Sequence, residues 1–261
     1  MSLNTYTPYR ISTITAVGNT NTEINLQKLF DLFIPTDKIV YMEYGKTKDI
    51  SNVKGKHPKN KLKKKKKKRF DNQTTVFIIF EDKTHVNMKI FKNGKIQMTG
   101  LKNINYGKNA INILIDYLKY LYVKNKDIVE SYDKMSLTNY KICLINSDFR
   151  FNQKIKREYL FKYIINNTKL VCSYEPCIYP GVKIQYFYNN FNNGVCNCDD
   201  YCETKNKNSK CTKITIAIFE SGCTIITGAK NLEQINITYN YISSLLTNNI
   251  SEFKKKDLPA L

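Results

Sequence analysis

Four cysteines lie close together in a short polar stretch of the chain, at Cys196, Cys198, Cys202 and Cys211. Thiolates are soft ligands, and four of them suit a tetrahedral Zn²⁺ ion. Because protein sulfur would fill all four positions, the ion would be structural and would leave no open position for catalysis. Free or disulfide-bonded cysteines at a loop tip are the alternative interpretation, although a disulfide framework is unusual in a cytosolic chain of this length.

Groups that could perform catalysis are scarce. The two histidines are His57, in a lysine-rich stretch, and His85, on the predicted polar face of a strand. The sequence has no glycine-rich phosphate loop, no Ser-His-Asp arrangement and no convergent set of carboxylates. We therefore expect that the protein is not an enzyme.

The net charge of +20 favours a polyanionic partner, nucleic acid first and an acidic membrane second. The alternative cause of this charge is an AT-rich coding bias, which raises the lysine content without any function. No apolar run reaches the roughly 18 residues that span a bilayer. Residues 1–10 lack the apolar stretch of a signal peptide, so we expect an intracellular protein without a membrane partner.

An internal repeat organises the chain. Residues 90–103 read IFKNGKIQMTGLKN and residues 218–231 read IFESGCTIITGAKN, with seven of fourteen positions identical at an offset of 128. Apolar residues at helical spacing follow each motif. We expect two repeats, over residues 9–122 and 138–250.

Each repeat shows the predicted order strand, helix, four strands, helix. Helices that segregate to one face of an antiparallel sheet make an α+β fold. The clearest predicted strands are 11–17, 74–80, 140–145 and 182–188, and helical spacing occurs over 26–33, 110–121, 155–163 and 232–246.

Alternation along the strands separates an apolar face from a mixed face. The set that should pack under the helices is Val86, Met88, Ile90, Ile96, Met98, Ile216, Ile218 and Ile226. The opposite set is Asn87, Lys89, Phe91, Gln97, Thr99, Thr215, Ala217, Phe219, Ile225 and Thr227. A phenylalanine on the mixed face either closes the end of the core or forms an apolar wedge that inserts between base pairs.

Two insertions interrupt the strand-rich middle of the repeats, at about residues 45–69 and 189–213. The first contains the basic run Lys61 to Arg69, which cannot form a packed core and should be disordered. This run could bind DNA phosphates, act as a nuclear-import signal or remain a solvated loop. The second insertion contains the four cysteines.

The motifs resemble those of the TATA-box-binding protein family. Residues 173–181 read SYEPCIYPG and residues 218–230 read IFESGCTIITGAK, where the family carries SYEPELFPG and IFVSGKVVLTGAK. The resemblance implies a saddle of two pseudo-symmetric repeats, with a curved antiparallel sheet and helices on the convex face. Its concave face would bind and bend AT-rich promoter DNA through the minor groove, as a transcription initiation factor.

The first motif also looks like that of divergent homologues from large DNA viruses. That resemblance implies an intracellular site of action, in the nucleus or a cytoplasmic viral factory, or packaging in the virion. The expected protein partners are a transcription factor IIB-like protein or RNA polymerase subunits, with Glu175 on the partner surface.

The resemblance also assigns roles on DNA. Phe91 and Phe219 match intercalating phenylalanines, and Tyr179 matches the partner of the second, whereas the partner of Phe91 falls near Thr74 or Phe70. Thr99, Thr227, Gln97 and Ile225 match base-contacting positions, and Lys95, Lys102 and Lys230 match basic residues near the DNA backbone. The expected DNA-binding set is completed by Arg10, Ser12, Lys89 and Asn146.

Several positions depart from the family pattern. Arg10 and Leu144 stand where the family has an asparagine in each half, Cys223 replaces a basic residue, and Lys89 and Ala217 replace apolar contacts. Arg10 and Lys89 could favour a narrow, electronegative A-tract groove. The alternative function is a non-enzymatic scaffold of a viral transcription or virion complex that has lost sequence-specific DNA binding.

Overall fold

The computed structural model describes residues 5–45, 52–58, 72–198 and 211–255. The chain forms two compact units. The first unit is Thr13–Cys143, and the second unit is Leu144–Leu261 together with Met1–Ser12. The basic run Lys61 to Arg69 and Cys202 lie outside the described residues, so the predictions made for them stay predictions.

The first unit is an antiparallel sheet with helices packed on one side. Its strands follow the order β3-β2-β4-β5-β6-β1 across the sheet. The elements in chain order are β1 (Arg10–Asn19), α1 (Leu26–Leu32), β2 (Ile39–Glu43), β3 (Val53–Gly55), β4 (Gln73–Ile79), β5 (His85–Phe91), β6 (Lys95–Leu101), α2 (Ile104–Lys124) and a 3₁₀ turn (Lys126–Ile128).

The second unit repeats this plan with the sheet order β7-β11-β10-β9-β8, again antiparallel. Residues 10–12 at the start of β1 belong to the second unit, and residues 138–143 at the start of β7 belong to the first. Its elements in chain order are β7 (Thr138–Arg150), α3 (Arg157–Asn167), β8 (Val171–Ser173), β9 (Val182–Tyr188), β10 (Thr212–Ile218), β11 (Cys223–Ala229), α4 (Leu232–Asn248) and α5 (Ile250–Phe253). The predicted α+β class and the predicted order of elements are both observed in this unit.

The first unit contains one strand more than predicted. β3 lies inside the segment 45–69 that the sequence assigned to an insertion, and it pairs with β2 through Tyr41 and Gly55. A three-residue strand beside β2 satisfies backbone groups that an uncovered sheet edge would leave unpaired. Such a short strand carries almost no alternation, so the sequence pattern missed it.

The predicted apolar face forms the core. The eight residues assigned to it are at most 1% exposed, and burying each large aliphatic side chain contributes about 1.5–3 kcal/mol. The helices meet these residues with their apolar stripes, which include Ala110, Ile111, Leu114, Leu118 and Leu121 on α2 and Ile235, Ile242 and Leu246 on α4.

Two residues depart from the predicted pattern of burial. Leu232 begins the stretch 232–246 whose apolar residues were predicted to form one face of a helix, but it is the first residue of α4 and is 39% exposed. Ala217 was placed on the mixed face, yet it is 5% exposed. Its methyl group is short, and the longer side chains of Lys183 and Ile225 flank it on the neighbouring strands.

The last residue of each repeated motif begins a helix. Asn103 Oδ1 accepts a hydrogen bond from the Asn105 amide at 2.9 Å, and Asn231 Oδ1 accepts one from the Gln234 amide at 2.9 Å. Asparagine is a favoured N-cap because its side chain satisfies an amide that has no partner in the first helical turn. The motif therefore contains the strand, the turn, the next strand and the start of the helix.

None of the helices in the described part of the chain is both long enough and apolar enough to cross a membrane.

Replacing Gly222 by alanine should destabilise the second unit. Gly222 has φ +80°, and a Cβ would lie 2.0 Å from the Phe151 carbonyl oxygen. Because backbone must move to admit that atom, we expect a loss of roughly 1–3 kcal/mol in the free energy of unfolding. Chemical denaturation measures this loss, and the exposed neighbour Ser221→Ala serves as the control. Equal midpoints for the two variants would contradict the prediction.

Candidate nucleic-acid interface

The face of each sheet that was predicted to be mixed, opposite the core, is here called the open face. In the first unit it brings together the predicted residues Lys89, Phe91, Gln97 and Thr99. Lys89 on β5 lies directly across from Gln97 on β6, and Asn87 lies across from Thr99. Phe91 ends β5 and is half-buried, whereas Gln97 and Thr99 are exposed. Lys95 and Lys102 are exposed at the two ends of β6. The face therefore combines one aromatic ring, hydrogen-bonding side chains and positive charge.

Thr74 was one of two positions predicted to stand beside Phe91 as its intercalating partner, and this prediction is wrong. Thr74 pairs with Ile90 on the buried face, is 1% exposed, and donates its hydroxyl to the Glu43 carbonyl oxygen at 2.9 Å. Gln73 is the residue that lies directly across from Phe91. Phe70, the other residue considered, lies outside the described residues.

A small aromatic cluster occupies the outer part of this open face. Tyr41 and Phe77 are neighbours on β2 and β4, and the His57 ring lies 5.0 Å from the first ring and 4.6 Å from the second. The Tyr41 hydroxyl donates to Glu43 Oε2 at 2.6 Å. His57 therefore packs on the sheet and limits how far the polar part of the open face extends.

The open face of the second unit is built in the same way. Thr227 on β11 lies between Asn146 on β7 and Thr215 on β10, and the Thr227 hydroxyl donates to Asn146 Oδ1. One row along, Ile225 lies between Asp148 and Ala217. The structure thus brings together the predicted residues Asn146, Ile225 and Thr227.

Two aromatic rings stand together at the end of this face. The ring centroids of Tyr179 and Phe219 are 5.7 Å apart, with an interplanar angle of 58°. Gly181 makes their approach feasible, because a Cβ there would lie 2.9 Å from Tyr179 Cε1 and 3.2 Å from Phe219 Cε1. Tyr179 and Phe219, which the sequence paired, are here named the aromatic pair.

Charges on this face are partly compensated. Arg10, with its side chain 82% exposed, donates from Nε to Asp148 Oδ1 at 2.7 Å. Such an exposed ion pair contributes at most about 1 kcal/mol to stability, but it neutralises a carboxylate that would otherwise repel an anionic partner. Ser12 is half-buried on β1, and Lys230 is exposed after β11.

Two basic residues on the open face of the second unit were not among the DNA-binding residues predicted from the sequence. Lys183 Nζ lies 4.2 Å from the centroid of the Tyr179 ring, in a cation–π contact. Arg150 is exposed and lies across from Cys223. Alternation along 182–188 contained the signal for Lys183, since that strand was predicted and odd positions fall on its open face.

Glu175 is exposed in the segment that precedes β9. Its backbone carbonyl accepts hydrogen bonds from the amides of Ile178 and Tyr179, at 3.0 and 2.9 Å. This turn leaves Ile178 78% exposed. A carboxylate and an apolar side chain are therefore presented to solvent within one turn.

Three of the four predicted metal ligands form a cluster. The sulfur atoms of Cys196, Cys198 and Cys211 all lie within 4.8 Å of one another, and the last two are 3.6 Å apart. This cluster could hold a metal ion. Cys172, on β8, lies outside this cluster, and burial raises the pKa of its thiol to about 12, which disfavours the thiolate that metals require.

Asn189 supports the cysteine cluster. Its side-chain Nδ2 donates to the Val195 carbonyl at 2.8 Å and to Cys211 Sγ at 3.6 Å, and its Oδ1 accepts from the Phe191 amide at 3.0 Å. The two amide hydrogens and the amide oxygen of this side chain are all used. Such an outer residue orients a metal-binding thiolate.

Comparisons with known proteins agree with this architecture. No protein-family model matches the chain. A protein of Acanthamoeba polyphaga mimivirus described as "TATA-box-binding protein-like" is 30% identical over 266 residues, covering 94% of this chain and 66% of the relative. The chain thus spans about two thirds of that relative's length.

Among solved structures, the TBP of Methanococcus jannaschii aligns with a TM-score of 0.53 at 16% sequence identity. The alignment covers 93% of this chain and 99% of the archaeal chain. At this level of identity the likeness establishes a shared fold, which agrees with the predicted fold class.

Replacing Gly181 by alanine should separate the aromatic pair. The added methyl group would meet two ring edges that can rotate outward, so we expect weaker ring-to-ring NOEs between Tyr179 and Phe219. The free energy of unfolding should change by no more than about 1 kcal/mol. NMR and denaturation measure the two effects, with the exposed Cys177→Ala as the control. Unchanged NOEs in Gly181→Ala would contradict the prediction.

Proposed function

The chain belongs to the TATA-box-binding protein family, and on that premise we propose that it binds and bends AT-rich duplex DNA through the minor groove and recruits transcription machinery there. The observation that carries this proposal is the aromatic pair, Tyr179 and Phe219, at the end of an open sheet face. The name of the mimivirus relative, TATA-box-binding protein-like, supports AT-rich DNA as the ligand. We propose that the protein acts by binding alone, without catalysis.

The aromatic pair would bend the duplex by inserting between two base pairs. Apolar side chains that enter between base pairs unstack one step, which costs a few kcal/mol, and the bent duplex then contacts more of the protein. Two rings held 5.7 Å apart present more apolar surface to a base step than a single ring does. Phe91 would act at the corresponding position of the first unit.

Recognition of the groove would rest on side chains next to the aromatic residues. The minor groove offers acceptors at A·T pairs and adds the amino donor of guanine at G·C pairs, so it distinguishes little more than these two classes. The hydroxyl and amide of Thr227 and Asn146, and of Thr99 and Gln97, are groups that can read such a pattern. Apolar Ile225 beside them would favour a groove without the guanine amino group.

Electrostatic attraction would add affinity without specificity. The net charge of +20 and the exposed residues Lys95, Lys102, Arg150 and Lys230 suit contacts with phosphates. Release of counterions makes such contacts weaken steeply as salt rises. Arg10 would contribute less than its exposure suggests, because Asp148 already binds its guanidinium.

We propose that the turn with Glu175 and Ile178 contacts the transcription machinery, either a transcription factor IIB-like protein or polymerase subunits. An exposed carboxylate beside an exposed apolar side chain suits a protein partner.

The proposed place of action is the nucleus or a viral factory. The competing function is an assembly scaffold, and the Asp148 carboxylate on the open face favours it, because this carboxylate offsets the positive charge of Arg10.

Fluorescence-detected bending of short duplexes tests the proposal. We expect a large bend with AT-rich duplexes and little with GC-rich duplexes. In Phe219→Ala, the bend should be lost while weak, salt-sensitive binding persists, because the phosphate contacts remain. Phe191→Ala is the matched control, since Phe191 is 72% exposed and lies on the second insertion.

Two outcomes of this experiment contradict the proposal. Weak binding without a bend, regardless of base composition, would favour the assembly scaffold. A bend that persists in Phe219→Ala would show that the aromatic pair is not the wedge.

We also propose that the cysteine cluster binds structural Zn²⁺ through Cys196, Cys198 and Cys211, with Cys202 as the fourth ligand. The clustered sulfur atoms and the Asn189 hydrogen bond to Cys211 support the three described ligands. Thiolate ligands select zinc over harder cations such as Mg²⁺. The ion would then link Cys196 and Cys198, which follow β9, to Cys211, which precedes β10.

Loss of one ligand should abolish stoichiometric zinc binding. We expect one Zn²⁺ per chain in the native protein and a large loss in Cys198→Ser, because a hydroxyl is a poor replacement for a thiolate. Native mass spectrometry and the charge-transfer absorption of the Co²⁺-substituted protein measure the two properties. The exposed Cys177→Ser is the control and should bind normally. Zinc binding that survives Cys198→Ser, or is absent from the native protein, would contradict the proposal.

A further inference from the structure

We propose that Arg157 is a positioning residue for the aromatic pair, which it fixes by joining the segment that carries Tyr179 to the turn that carries Phe219. This inference rests on the proposed DNA-bending function. Arg157 is the first residue of α3 and lies outside the residues matched to DNA contacts. Its role follows from what its two terminal nitrogens bind.

The guanidinium bridges two segments that are far apart in sequence. NH1 donates to the Pro180 carbonyl oxygen at 2.5 Å, and NH2 donates to Glu220 Oε2 at 3.1 Å. Pro180 directly follows Tyr179, and Glu220 directly follows Phe219. One side chain therefore holds both aromatic residues through their immediate neighbours.

The bridge is needed where the sheet ends. The pairing of β9 with β10 runs as far as Val182 and Ile218, and both aromatic residues lie beyond that pair. The Phe219 amide donates to the Cys223 carbonyl at 3.0 Å, which fixes its own turn. Arg157 adds a link between this turn and the segment of Tyr179.

Other contacts hold the bridge itself. Lys255 Nζ donates to Glu220 Oε1 at 2.6 Å, and the Ile155 amide donates to the Glu220 carbonyl at 2.9 Å. The Arg157 guanidinium also lies 5.6 Å from the centroid of the Tyr174 ring. The pKa of Glu220 lies below its usual value, mainly because of Lys255 and also because of Arg157. Glu220 therefore stays ionised at neutral pH and remains a strong acceptor.

Arginine suits this position better than lysine would. A planar guanidinium presents separate N–H groups in a fixed fork, so it can serve two acceptors that lie in different directions. An ammonium on a flexible stem is a single point of charge. The Arg157 side chain is 24% exposed and Glu220 43% exposed, and such an ion pair adds little to global stability. Its effect should therefore be on local geometry.

A wedge has to keep its shape while it separates two bases. Side chains that must be ordered during binding reduce the free energy left for unstacking, whereas pre-ordered side chains do not. With Arg157 in place, the rings of Tyr179 and Phe219 are ordered before DNA arrives. Without it, the two segments would move independently, and fewer complexes would reach the bent state.

Two glutamine variants test the inference. Arg157→Gln removes the bridge, and Lys162→Gln removes one positive charge from an exposed site on the same helix. For Arg157→Gln we expect an about tenfold lower ratio of bent to unbent complex, which corresponds to one lost charge-assisted hydrogen bond. Lys162→Gln should bend DNA normally. Arg157→Lys should not restore the bend, because it keeps the charge and loses the fork.

The salt dependence of binding separates positioning from direct contact with phosphate. A residue that binds phosphate would lower the slope of log affinity against log salt by about one when it is replaced. We expect an unchanged slope in Arg157→Gln. Glu220→Gln should reduce the bend as well, and the double variant should lose little more than either single variant, because both act through one bridge. A reduced slope or fully additive losses would overturn the inference.

A measurement without DNA distinguishes failure of this inference from failure of the proposed function. Ring-to-ring NOEs between Tyr179 and Phe219 should weaken in Arg157→Gln and remain in Lys162→Gln. Native NOEs in Arg157→Gln would overturn the positioning role even if the native protein bends DNA. If the native protein does not bend DNA, the proposed function fails, and with it any role of Arg157 in bending.

Discussion

Along β5, β6, β10 and β11, buried side chains, most of them apolar, alternate with side chains of the open face, and the other features of the two units depend on this burial. Ile90 and Ile218 are fully buried. Since a strand has a period of two, their neighbours Phe91 and Phe219 must lie on the opposite face. The hydrophobic core thus decides which side chains are left for a ligand.

The repeated motif combines core positions and open-face positions within fourteen residues. In the second copy, Ile218 packs in the core, Gly222 makes the turn, and Asn231 caps α4. Phe219 and Thr227 occupy the open face between them. Because a shift of one residue would exchange the two faces, the turn and the cap hold the register that keeps these two residues on the open side.

Polar contacts fix the positions and charges of the side chains that lie outside the core. Lys183 stacks on Tyr179, Arg10 neutralises Asp148, and Arg157 joins the segments on which the aromatic pair stands. Each such contact is modest in free energy because it lies near solvent. Together they determine the charge of the open face and the geometry of the aromatic pair. Both properties would bear on the proposed binding and bending of DNA more than on folding.

The sequence by itself determined the α+β class, the repeat and the two faces, because these follow from periodicity within single strands and helices. It also brought Cys196, Cys198 and Cys211 to notice through their spacing. Only the tertiary structure decided that Thr74 is buried, that β3 pairs with β2, and that Arg157 bridges Pro180 and Glu220. Those facts depend on contacts between residues distant in sequence, and no local pattern of residues records such contacts.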